Sequence, residues 1–326
     1  MKLASGLVLL VAALFVVSLV VGVAVVPAGQ SLRALIWDDG TPLAVVMREI
    51  RLPRAILAAL IGAALGLSGA AMQGYLRNPL AEPGLIGVSG AAALGAVLSL
   101  QTGLNLLFPL ALPFAALAMA TLAVLLILVL AGPRGSSITL ILAGIAISAL
   151  TGALTSLTLN LSPNPFAAAD IVFWMMGSLA DRSFVHVWLA APFIAIGAAL
   201  LFSIGRGLDA LTLGEDAAEA MGIGLRGVRL RLILGTAAAV GAATAVAGAI
   251  GFVGLVVPHL LRRAVGARPS ALLWASALGG AAMVLAADIA VRLILPDRDL
   301  KLGVLMALVG APLFLHLIFR TRKEMA

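Results

Sequence analysis

Uncharged apolar stretches dominate the chain and set its elements. A helix needs about 20 apolar residues to cross a hydrocarbon core of about 30 Å. Runs of that order without Asp, Glu, Lys or Arg fall at residues 7–26, 55–74, 84–100, 106–131, 138–160, 187–205, 270–291 and 303–319. The polar patch Gln101, Thr102, Gly103 and Asn105 divides the uncharged run between Glu82 and Arg134 into two of them. A further run from Leu232 to Leu261 would make a helix of about 45 Å, too long for one upright span. Arg231 stands at one end of it and Arg262 with Arg263 at the other, and cytoplasmic loops collect basic residues. Both ends are therefore expected on one side, with a reversal near Gly248 to Gly251, and the pattern predicts ten spans.

Composition removes the alternatives. Of 326 residues, 63% are hydrophobic and 11% charged, and the mean hydropathy is +1.18, which excludes a water-soluble globule. The net charge of +7 comes from Lys and Arg at segment ends, not from a basic face, so a nucleic-acid domain is excluded as well. Thirty-five glycines with 5% aromatics suit close helix contact in lipid, as at Gly62 with Gly66 and at Gly144, Ser148 and Gly152, where packing within one subunit is expected. The absence of Cys rules out disulfides, thiolate catalysis and Cys-ligated metals.

Ten spans put both termini on one side. Placing Lys2, Arg77, Arg134, Arg206, Arg226, Arg229, Arg231, Arg262, Arg263, Arg268, Arg320, Arg322 and Lys323 on that side accounts for thirteen of the 21 basic residues, together with the acids Glu82, Asp209, Glu215, Asp216, Glu219 and Glu324. Both ends are therefore expected in the cytoplasm, although Arg33, Arg48, Arg51 and Arg54 in the first external loop run against the rule. The first apolar run is longer than the h-region of a signal peptide and reads as an uncleaved span.

Few residues offer chemistry. His186, His259 and His316 fall in different segments, without carboxylates at metal-ligand spacing. Gly222 to Gly227 matches GxGxxG, yet no strand pattern precedes it, and no phosphate-binding GxxxxGK[ST] loop is present, so any ATP must be bound by another chain. Asp288 is the deepest charge, with Arg292 one turn later as an i, i+4 partner. The stretch 206–231 is the longest cytoplasmic loop. Thr212 and Glu215 form a capping-box pattern, which predicts a helix over about 213–221 ended by Gly222 and Gly224. Its acidic half, followed by Arg226, Arg229 and Arg231, suits docking of a cytoplasmic partner. Arg51 and Arg54, three apart around Pro53, suit carboxylates of an external protein, beside the ordinary reading as snorkelling anchors.

Several long motifs carry a family resemblance. These are Arg51 to Arg54, Gly69 to Gly74, Asn78 to Gly84 with Gly87 to Gly90, Trp174 to Leu179, Gly214 to Ala217 with Met221 and Gly222, Gly251 to His259, and Gly310 to Pro312. Together they resemble the FecCD-type ABC-importer permeases, which move iron-siderophores, heme or cobalamin. The resemblance implies an all-α, polytopic, type II importer architecture over residues 1–326 as one transmembrane domain in the bacterial cytoplasmic membrane. It implies a homodimer, two cytoplasmic ATPase subunits that hold ATP and Mg, and an external substrate-binding protein, with no cofactor or metal in this chain. By the same likeness Leu213, Gly214, Glu215, Asp216, Ala217, Glu219, Met221 and Gly222 form the coupling helix. Arg51, Arg54 and Arg292 receive the binding protein, and Asn78 and Leu80 form the inner gate. The outer gate lies in about 166–179, with Trp174, Met175, Met176, Gly177 and Ser178; the paired methionines are less typical of the family. The expected function is import of an iron chelate, siderophore or heme, with cobalamin as the alternative cargo within the family. A gradient-driven secondary transporter and a membrane scaffold are the rivals from other classes.

Overall fold

A computed structural model describes residues 2–22, 26–37, 40–108, 110–132, 137–162, 165–294 and 300–325. Arg134, counted above toward the cytoplasmic side, lies outside them, as do the side chains of Arg320, Arg322 and Lys323. The described residues are helical, without strands. In chain order the α-helices are α1 (Lys2–Val20), α2 (Ala28–Ile36), α3 (Pro42–Val45), α4 (Leu52–Leu76), α5 (Val88–Gln101), α6 (Leu104–Leu107), α7 (Ala111–Ala131), α8 (Ser137–Asn160), α9 (Pro165–Met175), α10 (Phe184–Ser203), α11 (Gly205–Leu211), α12 (Glu215–Ala220), α13 (Leu225–Ala247), α14 (Val253–Arg262), α15 (Pro269–Ile294) and α16 (Leu302–Met325).

Each of the ten predicted apolar runs carries a helix, but the runs are not equivalent. Among the described residues, seven helical stretches are long and apolar enough to cross a bilayer. The expected spans at 84–100 and 251–261 shrink to α5, with 14 residues, and α14, with 10. At 1.5 Å per residue these are about 21 and 15 Å, short of a hydrocarbon core of about 30 Å. Glycine and proline explain the loss: Pro83 and Gly84 open a 3-10 turn, Gly87 stands at φ +76°, and Gly248 at φ +73° stops α13. The predicted reversal is found, since α13 ends at Ala247 and α14 begins at Val253. It lies inside the protein, where Gly251 and Gly254 share a cleft with Leu65, the middle of α4. Irregular backbone is tolerated at such depth only when protein surrounds it.

The core is built around α4 and α13, whose apolar windows are each 78% buried, against 17% for α1. Helices α4 and α15 run antiparallel with backbones in contact. A Cβ on Gly62 would land on Gly280, and one on Gly66 would land on the Ser276 carbonyl. In lipid, where apolar side chains gain little by leaving the solvent, small residues let dispersion act between backbones. The second stripe behaves differently. Gly144 and Ser148 pack against Gly87, whereas nothing stands within 4 Å of a Cβ built on Gly152, which is exposed.

Valine at position 66 is therefore expected to force α4 and α15 apart. Gly66→Val should lose about 3 kcal/mol of stability, at the upper end of overpacking costs, and Gly152→Val almost none. Thermal unfolding of the two purified variants in detergent checks this, and equal midpoints would contradict the seam.

Candidate functional site

Two polar assemblies lie at opposite ends of the α4–α15 pair, with a buried junction between them. At the first end, Arg54 on α4 meets Asp288 on α15. Its Nε donates to Oδ1 at 2.9 Å and its Nη2 to the same oxygen at 2.8 Å. Arg292 Nη2 lies 2.9 Å from Asp288 Oδ2, the expected i, i+4 pair. Arg292 also donates to the carbonyls of Ser18 and Val21 at 2.9 and 2.7 Å and to the Ser18 hydroxyl at 2.7 Å. A π-helical turn, Val46–Arg51, leads into α4 and carries Arg51, whose Nη1 donates to Leu19 and Val20 carbonyls at 3.0 and 2.8 Å. Helix α1 ends here, and the last four carbonyls of a helix have no partners of their own. Arg51 and Arg292 thus seal the end of α1, the least buried of the candidate spans, while Asp288 pairs with Arg292 and Arg54.

Arg51 and Arg54, expected on one helix face, turn to different partners within the chain. Arg51 is 5% exposed and turned onto α1. Arg54 keeps 18% of its side chain open, against 8% for Arg292. The exception to the charge rule also finds its reason: Arg48 donates to the Leu35 and Ile36 carbonyls at the end of α2 at 3.2 and 3.0 Å, as Arg51 does for α1. These arginines cap helix ends.

The opposite end carries the 206–231 stretch. Helix α12 covers 215–220, not 213–221, and Thr212 does not cap it. The Thr212 hydroxyl donates instead to the Asp209 carbonyl at 2.7 Å, closing α11, and Gly214 at φ +107° starts α12. A side chain three residues before Glu215 is drawn back to a carbonyl of the preceding helix, which sequence spacing alone does not reveal. Ala218 is buried and anchors α12, while Leu213, Glu215, Asp216, Glu219 and Met221 are exposed, with Ala217 and Gly214 between the two states. Gly222 at φ +80° ends the element. The expected basic turn is the start of α13, and its Arg229 turns inward to the Gly132 carbonyl at 2.8 Å. GxGxxG here is a helix stop followed by a helix start.

Helix α12 is fastened to the core through Asp209. Its carboxylate accepts from the Ser270 N–H at 2.8 Å, the Ser270 hydroxyl at 2.7 Å and Arg268 Nε at 2.8 Å, which ties α11 to the start of α15. Burial pushes the Asp209 carboxyl up, but the Ser270 and Arg268 bonds outweigh it, and the net shift is downward. Asn78 and Leu80, expected at an inner gate, form an Asx turn beyond the end of α4, with Asn78 Oδ1 accepting from the Leu80 N–H at 2.9 Å.

Between the two ends lies a cleft of about 130 Å³ at the start of α14, lined in part by Leu65, Glu82, Pro83, Gly251 and Gly254. Glu82, counted above with the cytoplasmic acids, points into the protein, and its carboxylate accepts from the Phe252 N–H at 2.9 Å. Phe252 stands at φ +67°, unusual for a residue with a side chain, and an anion at a helix N-terminus stabilises such a start. The expected outer-gate segment meets the same turn. Ser178 N–H donates to the Ala247 carbonyl at 2.8 Å, Gly303 N–H to the Gly177 carbonyl at 3.3 Å, and a Cβ on Gly248 would collide with the Trp174 carbonyl. Trp174, Met175, Met176 and Ser178 are half-buried and Gly177 is buried. Sequence reasoning quoted Glu82 and Gln73 as motif residues without giving them roles; a carboxyl and an amide among apolar residues were the available signal.

Comparison with known proteins places this architecture. The family model described as the FecCD transport family matches residues 9–320. The chain belongs to the FecCD transport family. The hemin transport system permease protein of Yersinia pestis is 38% identical to this FecCD permease over 309 residues, 90% of this chain and 89% of the relative. The vitamin B12 import system permease protein of Vibrio cholerae is 41% identical over 277 residues, 85% and 83% of the two chains. An inward-facing metal-chelate type ABC transporter superposes with a TM-score of 0.86 at 33% identity, covering 98% of this chain and 99% of that one. The FecCD permease is thus a multi-pass membrane protein, and both polar assemblies belong to a transport scaffold.

Two outcomes follow for this permease. Asp288→Ala should cost about 3–5 kcal/mol, the range for removing one partner of a buried ion pair, and an unchanged thermal midpoint would contradict the clamp. Because the folded Asp209 carboxyl lies below its unfolded value, its bonds stabilise fully above the ordinary carboxylate range and fade as pH falls through the lower folded value. The gap in unfolding midpoint between wild type and Asp209→Asn should be constant near neutrality and close below about pH 4.

Proposed function

We propose that this permease is the membrane subunit of an ATP-driven importer that carries a metal chelate, an iron-siderophore or heme before cobalamin, into the cytoplasm. The reading rests chiefly on α12, a short helix that exposes carboxylates between Leu213 and Met221 and is bonded through Asp209 to α15. An apolar and acidic knob on a rigid mount suits a groove in a cytoplasmic ATPase, and the relatives named above for hemin and vitamin B12 transport favour large chelates as cargo.

In this reading the α12 end faces the cytoplasm together with both termini, in a bacterial cytoplasmic membrane. ATP and Mg are held by two separate ATPase subunits, and this chain makes and breaks no covalent bond. A second copy completes the pathway. Asn78 and Leu80 close it on the inside, and the 174–178 segment closes it on the outside. An external binding protein delivers the cargo and meets the Arg54 end. Arg54 is the member most open to a partner carboxylate, while Arg51 and Arg292 hold α1.

Liposomes containing the permease, its ATPase and its binding protein test this reading with labelled hemin and cobalamin. Accumulation is expected only with ATP. Uptake that persists without the ATPase and stops with an uncoupler would assign the chain to gradient-driven transport instead. Replacing Glu215, Asp216 and Glu219 by Ala should cut uptake about ten-fold, as loss of a charged docking contact does, while the purified permease keeps its thermal midpoint. Full uptake by that variant would remove α12 as the coupling element.

A further inference from the structure

Helix α14 carries Pro258 in its interior, and proline has no N–H. In an unbroken α-helix the N–H of residue 258 would bond the carbonyl of Gly254, four residues back. That carbonyl loses its helical donor, and the pyrrolidine ring crowds it outward. Gly254 is also the point where α14 meets α4, since a Cβ on Gly69 would fall on the Gly254 carbonyl. One turn further along the same face of α4 stands Gln73, 1% exposed. Its Nε2 donates to the carbonyls of Gly254 and Leu255, each at 3.3 Å, and its Oε1 accepts from Arg262 Nη2 at 2.7 Å. Arginine only donates and carbonyls only accept, so the two ends of the amide are assigned without ambiguity.

We propose that Gln73 is a positioning residue for transport: it supplies the hydrogen bond that Pro258 withholds and so latches α14 to α4. The inference rests on the permease reading, because α14 joins the parts that such a transporter must move together. At its start, the Phe252 turn touches the 174–178 segment and α16 through Gly248 and Gly310. At its finish, Arg262 leads through the 3-10 turn Arg263–Val265 into α15, beside the Asp209 and Ser270 bonds that fasten α12. The two amide bonds are long, at 3.3 Å, and neutral, unlike the charge-assisted bonds around Asp288. Such bonds part and re-form readily, which suits a latch.

The test exchanges one donor for the other. Gln73→Leu removes the amide, and Pro258→Ala returns a backbone N–H to Gly254. ATP-driven hemin uptake by the reconstituted complex should fall about five-fold in Gln73→Leu, the factor that one neutral hydrogen bond supplies. Adding Pro258→Ala to that variant should restore the thermal midpoint, because the Gly254 carbonyl regains a donor, but not the uptake, because no side-chain bond then joins α4 to α14. Gln73→Glu keeps the acceptor for Arg262 but sets a carboxylate against two carbonyls, and it should fail as Gln73→Leu does. Thermal midpoints of the isolated permease, read beside uptake, separate this inference from the importer reading. If wild type shows no ATP-driven uptake, the importer reading falls, and the midpoints still decide whether Pro258→Ala compensates Gln73→Leu. A Gln73→Leu variant with wild-type uptake and midpoint overturns the latch. So does recovery of uptake by Pro258→Ala, which restores no bond to α4, or a midpoint that Pro258→Ala leaves unrepaired.

Discussion

The close backbone approach of α4 to its neighbours is the constraint on which the rest depends. A helix surrounded by lipid gains little by exchanging hydrocarbon contacts for leucine contacts, so attraction between helices must come from proximity and from hydrogen bonds. Glycine at 62, 66 and 69 lets α4 lie directly on the backbones of α15 and α14. That proximity fixes the level at which every other group stands. Arg54 is carried to Asp288 at one end, and Gly74 is set against Leu208 and Pro269 at the other. Gln73 reaches α14 only because Gly69 has removed the intervening Cβ.

A second regularity concerns the arginines. Carbonyls at helix ends lack partners within their own helix, and this chain meets the need with arginine. Arg51 and Arg292 serve α1, Arg48 serves α2, and Arg229 serves the glycine that follows α7. A guanidinium group suits this duty, with five donors in a fixed fork and a charge that complements the negative end of the helix dipole. Asp288 balances the excess where three of these cations crowd together, which explains why one carboxylate is retained in such a position.

The sequence makes much of this legible, and its failures are physical. Helix existence follows from run length, because nothing but lipid or protein accepts twenty apolar residues in a row. The reversal at 248–251 follows from the arginines that flank it. Helix depth is hidden: α5 and α14 look like spans in composition, yet their lengths are set by glycine and proline at 83–87 and 248–258, which act through φ and not through hydropathy. Side-chain direction is hidden as well. The spacing of Arg51 and Arg54 predicts a shared face, but the π-helical turn before Leu52 carries Arg51 toward α1. The Thr212 hydroxyl could accept from an N–H at the start of α12 or donate to a carbonyl behind it, and the carbonyl of Asp209 prevailed.

Rigidity and freedom are divided along the molecule in a way that constrains motion. The α4–α15 pair is held by close glycine contacts at Gly62, Gly66 and Gly280 and by a charged clamp at the Arg54 end. The turn 248–252 has a different character: its backbone touches the 174–178 segment and the first turns of α16, and its one charged contact is the Glu82 carboxylate on a strained Phe252. Helix α14 joins this turn to the rigid pair through two long amide bonds at Gly254 and Leu255, one short bond from Arg262, and a proline-interrupted ladder. Asp209 joins α11, which leads into α12, to the start of α15 through short, charge-assisted bonds. On the latch proposed above, the junction of α4 with α14 is the place where motion of the pair passes to the turn.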